Sequence, residues 1–559
     1  MAGGLMNLVS EGQQNIMLNG NPSKTFWKTT YAHYTNFGLQ KFRVDFDGAR
    51  TLRLSEPSTF IFKIPRYAEL LLDCYVSVNL PHIWSPIIPP ITDPDLPGYN
   101  EGRWIPYEYK WIRNLGAQMI GKITITCGNQ TLQEFSGNYL YNMVQRDFSE
   151  VKKNLFDVMS GNVKELYDPG NSGTRVNSYP NAVYTTDPNG AEPSIRGRTL
   201  YIPLNTWFSL KSQMAFPLVA LQYNELQIHI TFRPIQELFQ IRDVFDVINN
   251  YPYIAPNFNK SYMQFHRFMQ TPPENPLTDG AFIDNGKIWN ADIHLNCTYG
   301  FLSDEESRYF ALKEQKYLFR QIRETIFYNV TGPNKLDLNS LGMVSSFMFY
   351  LQRSDANLRN EWSNYSNWPY TYLPNDILQC PTNGTYPINR SGTIVRIGPG
   401  VNSDGTLTGW LFTGDYSIEN EKDILVQMGL LLDGSYRENT QPPGVFDYIE
   451  KYTRTPGNAP PGLYCYNFCL NTSPYDMQPS GAINMNRFNQ IELEINTITP
   501  PLDPLAQSMA ICDPATGEII GVNKSSWNIY QYNFNLNYFE ERLNIISFIS
   551  GNAGLMYAT

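Results

Sequence analysis

The groups in this chain able to hold a metal or activate a nucleophile are few and scattered. The five histidines, His33, His82, His229, His266 and His294, share no short spacing that would make a local ligand pair. His229 and His294 fall at polar phases of predicted strands, where a histidine belongs to a sheet surface. No His-Glu-x-x-His, no complete Gly-x-x-x-x-Gly-Lys-Ser/Thr loop and no Gly-x-Ser-x-Gly elbow occurs. Cys465 and Cys469 stand four apart with no second pair or histidine beside them, which does not make a zinc site. Asp304-Glu305-Glu306 could offer paired carboxylates, but Ser303 before them reads as a capping box that opens a helix. Two carboxylates suited to glycoside hydrolysis could still meet in space, and nothing positive marks them. No catalytic residue, cofactor or metal is expected.

The remaining cysteines, Cys74, Cys127, Cys297, Cys380 and Cys512, bring the total to an odd seven spread over 559 residues. That excludes a disulfide framework and predicts thiols that are mostly reduced and buried. Nine Asn-x-Ser/Thr sequons occur, and Asn364, Asn383 and Asn389, which fall in one predicted exposed loop, are the candidates for glycan attachment.

Composition narrows the class further. Aromatic residues make up 14% and charged residues only 17%, so much of the surface must be hidden in cores or against partners. Net charge is −10 and no basic run exceeds Lys152-Lys153, which excludes wrapping of nucleic acid. The most apolar stretch, Tyr67–Leu80, is broken by Glu69 and Asp73 and is too short for a membrane span. The first residues lack the basic start of a signal peptide, so a soluble chain made in the cytoplasm is expected.

Along the chain, residues 1–24 form an arm with apolar positions at Leu5, Leu8, Val9 and Ile16–Leu18, suited to docking on its own domain, a neighbour or a lipid surface. From 25 to 82 strand follows strand, and Lys122–Cys127 alternates up to a Gly128-Asn129 hairpin turn. Tyr139, Leu140, Met143, Val144 and Phe148 fit one helix face. Long loops are predicted near 149–199, 235–288, 354–409 and 433–462. Strands are expected at 293–301, 317–330, 342–352, 410–432, 488–495 and 530–538, before an apolar tail.

One strand recurs. Tyr223-Asn224-Glu225-Leu226-Gln227-Ile228-His229-Ile230 and Phe488-Asn489-Gln490-Ile491-Glu492-Leu493-Glu494-Ile495 share a pattern, and each closes a half built as strands, long loop, strands. Two tandem antiparallel β-domains explain this, and many strands with long excursions suit the jelly roll. The all-β reading is therefore a double jelly roll of two eight-stranded units. Its parts are an arm (1–24), a first roll (25–302), a connector helix (303–314), a second roll (315–545) and a tail (546–559).

The wording of several stretches is more specific than their pattern. Gly4-Leu5-Met6, Gly20-Asn21-Pro22 with Thr25-Phe26-Trp27-Lys28, and Tyr31 with Thr35-Asn36-Phe37 open the chain. Ile123–Gln130, Pro217–Glu225, Gln478–Phe488, Asn537-Tyr538 and Gly551–Tyr557 follow in order. Together these resemble the major capsid proteins of nucleocytoplasmic large DNA viruses over nearly the whole chain. Trp27 stands where Phe is usual, His33 is near a usual Arg, and Phe539–Ile545 departs from the tighter family spacing. The resemblance implies a non-enzymatic capsid subunit that forms a homotrimer, meets neighbouring capsomers, penton and minor capsid proteins, and keeps its arm near an inner membrane. It implies long loops on the outer surface and no contact with nucleic acid. A trimeric assembly scaffold of the poxvirus kind and a secreted carbohydrate-binding β-sandwich are the alternative readings.

Overall fold

In Leu226–Phe232 every second side chain is buried, and Ile491–Thr497 repeats that alternation. Such a period of two places one face of each strand against a core. The computed structural model describes residues 3–10, 12–16, 18, 34–88, 90, 92–95, 105–176, 178–244, 252–275, 279–371, 418–476, 478–503, 506, 509–523 and 529–557. Leu226–Phe232 lies second in a four-stranded sheet ordered Ser58–Lys63, Leu226–Phe232, Ile120–Cys127, Gln130–Phe135. Ile491–Thr497 lies second in the sheet Pro333–Asp337, Ile491–Thr497, Leu425–Leu432, Ser435–Gln441. The two copies of the repeat therefore occupy the same place.

The facing sheets repeat as well. In the first half, Gly38–Asp45 pairs with His294–Phe301, which pairs with Leu70–Asn79. In the second, Gln315–Phe327 pairs with the closing strand Phe534–Ile549, which pairs with Met343–Arg353. All these pairs are antiparallel, and in each half the first strand lies beside the last. This is the jelly-roll order, run twice along one chain. Phe60, Phe62, Ile123, Ile125, Ile228 and Ile230 fill the first core with Val76 and Leu295. Phe347, Phe349, Leu430, Leu493, Ile495 and Leu536 fill the second.

Several excursions hold more structure than their composition predicts. Residues 149–199 contain the helices Glu150–Ser160 and Lys164–Tyr167. The first was illegible because it buries Lys153, Phe156 and Ser160 while Val151, Leu155 and Val158 face water. The stretch 235–288 carries strands Phe239–Arg242 and Tyr253–Ile254 and buried turns around Phe265 and Phe268. Residues 433–462 hold the strand Ser435–Gln441 and a helical segment from 445 to 454. The connector helix spans Asp304–Leu312, but Ser303 makes no side-chain cap bond; Glu306 instead accepts a hydrogen bond from Thr35 Oγ1 at 2.7 Å. The closing strand runs through residue 545 to Ile549, and Asn552–Leu555 folds back on it, so much of the expected tail is sheet. Gly20–His33, Cys380 and most of 354–409 lie outside the described residues.

The arm packs on its own second roll. Met6 joins the second core, Leu18 is buried with Met343, Leu543 and Ile545, and Arg437 Nε donates to Asn7 Oδ1 at 3.1 Å.

Candidate functional site: the joint between the rolls

Both faces of the closing strand are buried from Leu536 to Ile546, and the same holds for Met343–Leu351. A sheet with only one covered face cannot do this. One face, with Phe347, Phe349, Leu536 and Tyr538, lines the second core; Met348, Tyr350 and Phe539 cluster with the first. The rolls are therefore joined by the back of a sheet. Aromatic pairs stitch the joint: Trp207 with Phe319 (centroids 5.3 Å), Phe216 with Phe548 (5.1 Å) and Tyr139 with Phe539 (5.8 Å).

Inside this apolar contact sits a cluster of charges. The helix Gly137–Asp147, capped by Ser136 Oγ on Tyr139 N–H, presents Arg146 and Asp147 from the first roll. Arg146 grips Asp147 with two bonds (2.9 and 2.7 Å) and reaches Glu541 Oε1 on the closing strand at 2.7 Å. All three side chains are fully buried. Tyr139 Oη donates to Glu541 Oε1 (2.7 Å) and Ser346 Oγ to Oε2 (2.6 Å). Arg320 lies 3.4 Å from Glu541 and donates to the carbonyls of Thr472 and Ser473, while Thr472 Oγ1 donates to Asp147 (2.6 Å). Two cations thus meet two carboxylates.

Burial alone would raise the Glu541 carboxyl. Arg146 and Arg320, with the hydroxyls of Ser346 and Tyr139, outweigh it and hold the group down to about 2. Burial pushes Asp147 the other way, up, against the pull of Arg146.

A second contact is a strap, residues 356–371, that leaves the second roll and crosses the first. Asn360 Nδ2 donates to the carbonyls of Gln236 and Phe239, both at 2.8 Å, and Trp362 Nε1 to that of Glu237 at 3.0 Å. Tyr365 Oη donates to Asn142, Gln240 Nε2 to Glu361, and the Arg233 guanidinium lies over the Trp362 ring. A third contact joins two stretches singled out in the sequence: Gln222 N–H and Tyr223 N–H both donate to Gly551 O. Gly551 turns the closing hairpin at φ +82°, and a Cβ there would sit 2.7 Å from the Gln222 Cβ. Gly551→Ala is expected to lower stability by ~2 kcal/mol through strain and overlap, read as a lower thermal midpoint.

The groups that could do chemistry stay apart. Among the described residues no cluster of three or more His, Cys, Asp or Glu could hold a metal. His229 Nε2 sits beside Thr126 and Gln227 on a sheet surface. Gly116 and Gly121-Lys122 have part of a phosphate-loop spacing, but Ile123 follows, and the order is helix then strand rather than strand, loop, helix. Asn364 is not exposed: it is buried, donates to Trp368 O, and accepts from Ser366. Asn383 and Asn389 lie outside the described residues. The joint itself was missed in the sequence, although Glu540-Glu541-Arg542 within an apolar strand was a signal for it.

Comparison with known proteins matches this architecture half by half. Residues 25–268 match the family profile of the major capsid protein N-terminus, and residues 306–554 that of the large eukaryotic DNA virus major capsid protein. The chain belongs to this capsid protein family. The major capsid protein of Phaeocystis pouchetii virus is 25% identical over 605 aligned positions, covering 100% of both chains. That of Chrysochromulina ericina virus is 28% identical over 61% of this chain and 55% of its own. A quasi-atomic model of the PBCV-1 virus capsid shares the fold at 18% identity (TM-score 0.56; 96% of this chain, 100% of that one). So does the Faustovirus major capsid protein at 13% (TM-score 0.58; 94% and 93%). Major capsid proteins of this family are structural and non-enzymatic, and their place is the virion capsid.

Proposed function

We propose that three copies of this capsid protein associate into a capsomer that tiles the shell of a large DNA virus. The observation that carries this reading is the matching strand order of the two four-stranded sheets and of the first three strands in the sheets that face them. Three chains of two like rolls present six like corners, so a threefold object can fill a hexagonal lattice. The joint is then functional, because it fixes the angle between successive corners. Val151, Leu155 and Val158, exposed along one side of a helix, support a covered face in the assembly.

In this reading the chain divides into an arm, two rolls and the connector between them, and the long excursions lie on the outer surface. The arm's exposed Leu5, Leu8 and Val9 face the interior, towards an inner membrane or minor capsid proteins. Neighbouring capsomers and pentons are the other partners, and assembly takes place in the host cytoplasm. A glycan, where present, belongs on Asn383 or Asn389, since the Asn364 amide is already engaged; peptide mass spectrometry of virion protein checks this.

Negative-stain electron microscopy of the purified protein tests the central claim. Threefold particles with a hexagonal outline are expected. Monomers at near-physiological salt, over a range of concentrations, would overturn it.

A further inference from the structure

Cys74 and Cys297 face each other across the first roll. They are directly paired in the register between Leu70–Asn79 and His294–Phe301, and their sulfurs stand 3.2 Å apart. Both side chains are buried in the core. Directly opposed residues in an antiparallel pair have Cα atoms about 4.5 or 5.5 Å apart, within the span of about 4.4–6.8 Å that a disulfide bridges. Closing to a bond of ~2.05 Å needs about an ångström of sulfur movement, which side-chain rotation and a small strand adjustment supply.

We propose that Cys74 and Cys297 form a latent cross-link site, which a small hydroperoxide converts to a disulfide in the folded protein. One sulfur, as thiolate, attacks the peroxide; the O–O bond breaks, giving a sulfenic acid and a hydroxide that leaves as water. The second sulfur then attacks the sulfenic sulfur, forming the S–S bond and releasing a second water with its own proton. Two thiols and one hydrogen peroxide yield one disulfide and two waters; with an alkyl hydroperoxide the first leaving group departs as the alcohol instead of water. Burial pushes the Cys74 thiol well up, and the contact with Cys297 adds to this, so the reaction is slow and bulky disulfide reagents are shut out. The pair stays reduced where the chain is made and oxidises outside the cell.

The bond would tie the last strand of the first roll to its third. Both long excursions of the first roll, 149–199 and 235–288, fall inside the loop it closes, so a cut in either of them would not free a strand.

The test uses the full-length protein in its assembled state. It is exposed to dilute hydrogen peroxide, quenched, unfolded in a thiol-blocking alkylator and digested for mass spectrometry. A Cys74–Cys297 linked peptide, abolished by dithiothreitol and accompanied by a higher thermal midpoint, is the expected result. Cys512→Ser, which removes an exposed thiol, keeps the link, whereas Cys297→Ser loses it. Recovery of both residues as alkylated free thiols, or as separate sulfinic acids, while Cys512 is oxidised would overturn the proposal. That readout needs only the wild-type chain and does not depend on how any variant folds.

Discussion

Glu541→Gln is expected to destabilise the folded subunit by ~3–5 kcal/mol, the usual cost of breaking a buried ion pair from one side. The amide leaves Arg146 and Arg320 facing Asp147 alone, and it keeps only one of the two oxygens that accept separately from Tyr139 (Oε1) and Ser346 (Oε2). Arg146→Met should cost about as much, because it leaves Arg320 alone against both Glu541 and Asp147 in the same apolar joint. The double variant Arg146→Met/Glu541→Gln leaves one cation and one carboxylate, and is expected to lose less than the two single variants summed. Denaturant midpoints of the four proteins give the coupling; additive losses would show that the cluster is not a unit. Acid adds a second reading. Glu541 sits below its ordinary value near 4.3, so its contribution is complete above about pH 4.5 and fades as pH falls towards 2. Asp147 is shifted up, and its protonation in acid works in the opposite direction. Glu541→Gln should therefore flatten the loss of stability between about pH 4.5 and 2, and an unchanged acid limb would exclude Glu541 as its source.

The strands at the centres of the two four-stranded sheets were legible because each keeps strict alternation with one wet face. Leu226, Ile228 and Ile230 mark one, and Ile491, Leu493 and Ile495 the other. Their shared place in the two sheets also accounts for the repeat. Where a strand is covered on both sides, alternation carries no information, and the closing strand is the case in point. Phe539–Ile545 looked like a departure in spacing, yet it is the middle of one continuous strand pressed between the rolls. The partners of its Glu540-Glu541-Arg542 could not be read locally, because those on Gly137–Asp147 lie about four hundred residues away in sequence. The helix Glu150–Ser160 failed for the reverse reason, since its regular apolar side is the exposed one. A subunit whose apolar faces meet other subunits will mislead any reading that equates apolar with interior.

The strap offers the second large effect. Asn360→Ala is expected to cost ~3–5 kcal/mol, although the residue lies on a connecting segment rather than in a strand. Its side chain is buried, and its one amide nitrogen serves two carbonyls of the first roll, at Gln236 and Phe239. Truncation leaves both acceptors without that donor, at ~1–3 kcal/mol for a buried one. The backbone adds its own term, since Asn360 sits at φ +54°, where alanine is strained by ~1–2 kcal/mol and asparagine is tolerated. Asn360→Gly keeps the conformation and loses only the hydrogen bonds, so it should fall between wild type and Asn360→Ala. Asn360→Asp accepts the backbone shape but turns a carboxylate towards two carbonyl oxygens, and is expected to be the worst of the three. Chemical unfolding of the series separates the two contributions, with the Gly-to-Ala step reading strain and the wild-type-to-Gly step reading the bonds. If Asn360→Ala stays within ~0.5 kcal/mol of wild type, the strap is an ornament on the joint and the charge cluster alone sets the angle between the rolls.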